Sequence, residues 1–182
     1  MKKTISGIEI ECIRGNIASQ PDVTAIVNAA NASLRIGGGV AGAIHQAAGP
    51  GLEEECRPLA PIKPGECVIT GAHRLPNRYV IHCLGPIYGV NKPENRLLEN
   101  CYRNALKLAE KYKIDSIAFP AISTGAFGYP CEEATEVAFK TIIEILPKLQ
   151  HVKRIRFVLY SSRHLEIHER MLSRLLRDAS GE

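Results

Sequence analysis

The sequence predicts an α/β protein in which helices cover both faces of a largely parallel sheet. Three observations carry this expectation. Strand-like and helix-like segments alternate through the second half of the chain, in the order that parallel pairing requires. Hydrophobic residues make up 45% and charged residues 23% of the chain, the globular average. A chain of 182 residues can bury roughly 70% of its surface around one core. One domain over residues 1–182 is therefore expected, without an internal repeat or a linker.

Each element has its own signal. Ile8, Ile10 and Cys12 alternate with Glu9 and Glu11, the pattern of a first, half-buried strand. Ala25 to Ala29 forms a short, mostly apolar second strand. Helical spacing runs from Val40 to Ala48, breaks at Gly49-Pro50-Gly51 and resumes from Leu52 to Arg57. Pro58, Pro61 and Pro64 mark a loop. Glu66 to Thr70 and Tyr79 to Leu84 are strand-like, joined by a turn at Pro76-Asn77. Leu97, Leu98, Cys101, Ala105, Leu108, Ala109 and Tyr112 share one face of a long helix. Ser116 to Ile122 reads as a strand, and Ala134, Val137, Ala138, Thr141, Ile142 and Ile145 line the next helix. Arg154 to Tyr160 closes the sheet, with Ser162 expected to cap a last helix carrying Met171, Leu172, Leu175 and Leu176.

Composition excludes several classes. No apolar run approaches the ~18 residues of a membrane span. The start, MKKTISGIEIE, lacks an apolar segment of signal-peptide length, so a cytoplasmic protein is expected. The six cysteines, Cys12, Cys56, Cys67, Cys83, Cys101 and Cys131, form no C-x-x-C pair and read as reduced packing residues rather than metal ligands. The net charge of +4 is a weak pointer to an anionic partner. Its late basic residues, Lys148 to Arg177, read as a solvated face. With four Phe, six Tyr and no Trp, stacking platforms are scarce, which argues against nucleic acid as a partner. His45, His73 and His82 read as structural, and no G-x-S-x-G elbow supports a serine hydrolase.

Two loops carry the chemistry. The first runs from Asn28 through Asn31 to Gly37-Gly38-Gly39-Val40-Ala41-Gly42, three glycines ahead of a helix, where backbone N–H groups can meet a phosphate. Gly37, Gly39 and Gly42 match G-x-G-x-x-G, but Ala30 to Ile36 separates them from the strand and no acid ends the next strand, so a dinucleotide fingerprint is rejected. No Lys-Ser/Thr follows, so this is not a Walker A loop. The second loop reads Pro120-Ala-Ile-Ser123-Thr124-Gly125-Ala126-Phe127-Gly128-Tyr129-Pro130. Neither Val27 to Leu52 nor Ser116 to Cys131 contains an Asp or Glu. The pair is suited to anions and offers no carboxylate base.

IVNAANASLRIGGGVAGAIHQAAGP, GECVITGAHRLPNRYVIHCLGPIYG and IAFPAISTGAFGYP resemble the macro domain, an ADP-ribose-binding module, in its mono-ADP-ribosyl hydrolase branch. The match covers about Gly15 to Tyr160. The resemblance implies a three-layer α/β/α fold, with a mixed, mostly parallel sheet of about six or seven strands between helices. It implies that Gly38, Gly39 and Val40 face the distal ribose and diphosphate, that Ser123, Thr124, Gly125, Ala126 and Phe127 wrap the diphosphate, and that Asn31 bonds the distal ribose and serves catalysis. The ligand would be ADP-ribose or O-acetyl-ADP-ribose, or mono-ADP-ribosylated proteins as partners, with no cofactor and no metal.

Two departures qualify this. Relatives commonly have Gly-Asp-Ile-Thr after the first strand, the Asp accepting from the adenine amino group, where this chain has Gly15-Asn16-Ile17-Ala18. Asn16 keeps an acceptor oxygen but not its charge, and Tyr160, where relatives stack an aromatic on adenine, can compensate. Ala41 stands where eukaryotic-type hydrolases have an Asp proposed to activate water. Without it, catalysis would rest on Asn31, the ribose hydroxyls and the substrate's own phosphate as base. Two readings stay open: an ester hydrolase, or a reader that binds ADP-ribose without turnover. Nucleic-acid binding through the basic last helix is a third, weaker class.

Overall fold

A computed structural model of the chain describes residues 1–180. Its strands are β1 (Lys2–Ile5), β2 (Ile8–Arg14), β3 (Ala25–Ala29), β4 (Cys67–Gly71), β5 (Tyr79–Cys83), β6 (Ser116–Phe119) and β7 (Arg154–Leu159). Its helices are α1 (Gly39–Ala48), α2 (Gly51–Cys56), α3 (Glu94–Lys111), α4 (Cys131–Ile145) and α5 (Ser162–Ser180), with 3₁₀ turns at Arg57–Leu59 and Leu146–Lys148.

The strands form one sheet in the order β1-β2-β7-β6-β3-β5-β4. The pairs from β2 to β5 are parallel, whereas β1 on β2 and β4 on β5 are antiparallel. Both edges are thus hairpin partners of a parallel centre. The centre is apolar on both faces, as a sheet covered twice must be. On one face α3, α4 and α5 pack Leu98, Tyr102, Phe139 and Leu172 against Phe119 and Phe157 of the sheet. The rings of Phe139 and Phe157 meet edge-on at 4.9 Å, a favoured aromatic geometry. On the other face α1 and α2 bring Ile44, Ala48, Leu52 and Cys56 onto Ile26 and Val80. Three layers result.

Beside β2 and β7 that second face is closed in part by chain outside the helices. There the chain between β2 and β3 folds over, placing Ile17 and Val23 in the core. Arg156 anchors it: its guanidinium bonds Glu11 at 2.9 Å, Gln20 at 2.8 Å and both Asp22 oxygens at 2.7 and 2.8 Å.

The expected first strand is in fact the second. Lys2-Lys3-Thr4-Ile5 shows no apolar alternation because β1 is an exposed edge. Its turn is nonetheless local chemistry: Ser6 and Gly7 both take positive φ, +52° and +78°, as a tight two-residue hairpin requires. A second correction concerns the last helix. Ser161, not Ser162, caps α5, its Oγ accepting from His164 N at 3.2 Å. Ser162 is the first helical residue, and its Oγ accepts from Arg14. The sixth strand ends at Phe119 rather than Ile122, because Pro120 has no N–H to continue the ladder.

No helix among the described residues is long and apolar enough to cross a membrane. All six cysteines are free thiols.

Candidate functional site

A cleft of about 570 Å³ opens at the carboxyl ends of the parallel strands, the place where open α/β sheets receive ligands. Gly15, Asn16 and Ile17 wall it after β2, Gly39, Val40 and Ala43 at the start of α1, and Pro120, Ala121, Thr124 and Gly125 after β6. Val158, Leu159 and Tyr160 complete it from β7. No wall residue is charged.

The first wall is made by backbone. Gly38 is the N-cap of α1 and has no side chain to cap it, and the first turn holds no acid. The first helical bond is Gly42 N to the Gly38 carbonyl, so the N–H groups ahead of it have no intrahelical partner. They carry the positive end of the helix dipole. Gly39 holds φ at +55°, the left-handed region that glycine enters without penalty. Gly42 serves closeness instead: a Cβ there would lie 2.5 Å from the Gly37 carbonyl oxygen, so the glycine loop rests on its own helix.

The second wall folds through its own hydrogen bonds. The Thr124 hydroxyl donates to the Ala121 carbonyl at 2.7 Å, and Gly128 N to that of Gly125 at 3.0 Å. Ser123 is buried at φ +69°, and its Oγ donates to the Pro86 carbonyl at 2.8 Å. Gly85 makes this possible, since any Cβ on it would strike the Ser123 hydroxyl. Tyr88 N in turn donates to the Phe127 carbonyl at 2.9 Å, so the 85–91 segment braces the loop.

The sequence-predicted residues divide accordingly. Asn16, Ile17, Gly39, Val40, Thr124, Gly125 and Tyr160 come together as walls of the cleft. Gly38, Ser123, Ala126 and Phe127 do not line it; Ser123 faces Pro86, and Phe127 packs on the α1–α2 side of the core. Asn31 does not line it either. Its Oδ1 accepts from Arg35 N at 3.0 Å and Ser33 Oγ at 3.1 Å, while its Nδ2 donates to the Arg35 carbonyl at 2.8 Å. The side chain thus shapes residues 31–35 and sits against the glycine loop, a Cβ on Gly37 lying 3.2 Å from Nδ2. One Nδ2–H stays without a partner in that set. Asn16 Oδ1 accepts from Ala18 N at 2.9 Å, which holds the turn after β2. Tyr160 is 75% exposed and so does not belong to the core, although its ring meets His164 edge-on at 5.2 Å.

Sequence reasoning missed Gly15, Ala43, Pro120, Ala121, Val158 and Leu159. All are small or apolar; Ala43 lies in the first turns of α1 and the others at or just past the ends of β2, β6 and β7, so the only signal available was position. His45 and His82 are interior groups, as read. Burial lowers both pKa values, that of His82 to about 3. Among the described residues no group of three or more His, Cys, Asp or Glu is arranged to hold a metal ion.

Fold and cleft together define a three-layer α/β/α protein with a ligand site between two acid-free loops. Comparison with known proteins narrows this. The macro domain family model matches residues 27–138, and the chain belongs to the macro domain family. It is 46% identical over 170 residues to the O-acetyl-ADP-ribose deacetylase of Salmonella typhimurium, covering 90% of this chain and 94% of that one. It is 47% identical over 165 residues to a macro domain-containing protein of Chlorobaculum tepidum, covering 90% and 95%. The Oceanobacillus iheyensis macrodomain, solved with ADP, superposes with a TM-score of 0.94 at 41% identity, over 98% of this chain and 97% of that one. The Trypanosoma brucei macrodomain in complex with ADP-ribose gives 0.84 at 36% identity, over 90% and 68%.

Proposed function

We propose that the protein binds ADP-ribose and hydrolyses an ester at its distal ribose, acting on O-acetyl-ADP-ribose and on mono-ADP-ribose attached to acidic side chains of proteins. The observation that carries this is the uncharged cleft between two loops of backbone donors. Relatives named for the deacetylase and structures holding ADP or ADP-ribose support it.

In this reading adenine lies by Asn16 and Ile17, with Tyr160 stacking on it. The diphosphate crosses between Gly39-Val40 and Thr124-Gly125, held by N–H dipoles and the α1 terminus, while Gly38, Ser123, Ala126 and Phe127 keep those loops in shape. Asn31 holds residues 31–35 through three hydrogen bonds and turns its remaining N–H to the distal ribose. Water attacks the acyl carbon, the bond from that carbon to the ribose oxygen breaks, and a carboxylic acid and ADP-ribose leave. Neither loop supplies a carboxylate, so the substrate's phosphate takes the water's proton. The reading treats residues 1–182 as one macro domain in the cytoplasm, where free thiols stay reduced. It invokes no cofactor and no membrane or nucleic-acid partner.

The test is turnover of O-acetyl-ADP-ribose and release of ADP-ribose from a glutamate-modified protein, each beside a binding isotherm. Asn31→Ala should cut turnover on the order of 100-fold while weakening ADP-ribose binding less than about tenfold. Ala41, buried and without a carboxylate, favours the reader alternative. That alternative holds if the parent binds ADP-ribose and neither reaction exceeds the buffer rate.

A further inference from the structure

Away from the cleft, three thiols converge where β4 and β5 meet α3. Cys67 and Cys83 are directly opposed across the antiparallel pair, and their sulfur atoms lie 2.7 Å apart. Even carbon atoms, which are smaller, approach only to about 3.5 Å without repulsion. The neighbouring opposed pair, Glu66 and Leu84, is joined by the bond from Leu84 N to the Glu66 carbonyl at 3.1 Å. Alternation along the ladder therefore makes Cys67–Cys83 the closely spaced, non-hydrogen-bonded kind, with Cα atoms about 4.5 Å apart. That spacing lies within the range a disulfide spans, and opposed residues point their Cβ atoms to the same face.

Access is one-sided. Cys83 is fully buried, whereas Cys67 is half-buried and lines a surface pocket of about 420 Å³ together with Lys107 and Lys111. The hydrogen bond with Cys101 lowers the Cys67 thiol, but the contact with Cys83, burial and Glu66 in the same pocket raise it above its ordinary range, so oxidation calls for peroxide in excess. The third thiol is occupied otherwise: Cys101 Sγ donates to the Leu84 carbonyl at 3.2 Å.

We propose that Cys67 and Cys83 form an oxidisable dithiol, a modification site for peroxides. Peroxide oxygen transfers to Cys67 sulfur, giving the sulfenic acid and one water. Cys83 sulfur then attacks Cys67 sulfur, the S–O bond breaks, and hydroxyl leaves as a second water with the Cys83 proton. The product ties the edge strand β4 to β5, and a dithiol reductant reverses it.

The experiment treats the full chain with graded hydrogen peroxide, then counts free thiols and maps peptides without reduction. The parent should lose two of its six thiols, with a peptide linking Cys67 to Cys83 that disappears on dithiothreitol. Cys67→Ser and Cys83→Ser should each abolish that link, and Cys101→Ser should keep it. The parent map needs no variant to fold, so it decides alone. A first linkage from Cys67 to Cys101, a link only between two chains, or oxidation of Cys67 to higher acids with Cys83 still free would each overturn the assignment.

Discussion

Asn28 Nδ2 donates to His82 Nδ1 at 3.1 Å, across directly paired positions of β3 and β5. Thr70 Oγ1 spends its own proton on the Gly71 carbonyl, so it accepts from His82 Nε2 at 2.9 Å. The imidazole is thereby fixed in one neutral tautomer, with the proton on Nε2. A second proton on Nδ1 would face the Asn28 N–H.

Acid should therefore destabilise the fold. Burial lowers His82 to about 3 and His168, which donates to the His164 carbonyl among Phe139 and Phe157, to about 4. Unfolded, each titrates near 6.5. Between these values only the unfolded chain binds the protons, so stability is full above pH 6.5 and falls as pH drops toward 4. At pH 5 each imidazole should lower the unfolding free energy by about 2 kcal/mol. Urea unfolding at pH 7 and pH 5 measures it, and equal values would mean that both rings are solvated in the native state.

Gly125→Glu should abolish ADP-ribose binding in a folded protein. Nothing lies within 4 Å of a Cβ at this position and its φ is not left-handed, so the carboxylate stands in the cleft without straining the backbone. Calorimetric titration beside a melting curve checks both halves.

Tyr160→Ala should weaken ADP-ribose five- to tenfold, since a stacked base is worth about 1 kcal/mol or more. The ring is largely exposed in the free chain, so the melting temperature should hardly move. Unchanged affinity would remove Tyr160 from the adenine site.

Asn16→Asp should tighten adenine nucleotides by about 1 kcal/mol, because an aspartate can keep the bond from Ala18 N and offers a charged acceptor to the adenine amino group. The gain should vanish with the inosine analogue, and isotherms for both ligands decide the point.

Arg156→Met should cost about 3–5 kcal/mol, the penalty for leaving one partner of a buried pair. Glu11 is itself buried and its 2.9 Å bond to Arg156 would be lost. Adding Glu11→Leu should recover part of the loss in a denaturant titration.

Local pattern made much of this protein legible. Ala25–Ala29 stands where its apolar run placed it, and both glycine-bearing loops face the cleft because loops that lead from parallel strands into helices end there. What the sequence hid depends on distant partners. By resemblance Ser123 wraps the diphosphate, and the structure adds that its hydroxyl goes to Pro86, 37 residues away. Asn31 reads as a ribose ligand, yet most of its bonding capacity goes to its own loop. The edge strand β1 carries no apolar signature because it buries almost nothing.

The uncharged wall of the cleft has a consequence for electrolytes. A diphosphate gripped by arginines or lysines exchanges one ion atmosphere for another, and its affinity then follows ionic strength. Here the opposing charge is a set of fixed peptide dipoles, and no charged side chain stands in the walls. Recognition of an anion by this cleft rests on main-chain donors and should weaken with salt more gently than a grip by arginines or lysines would.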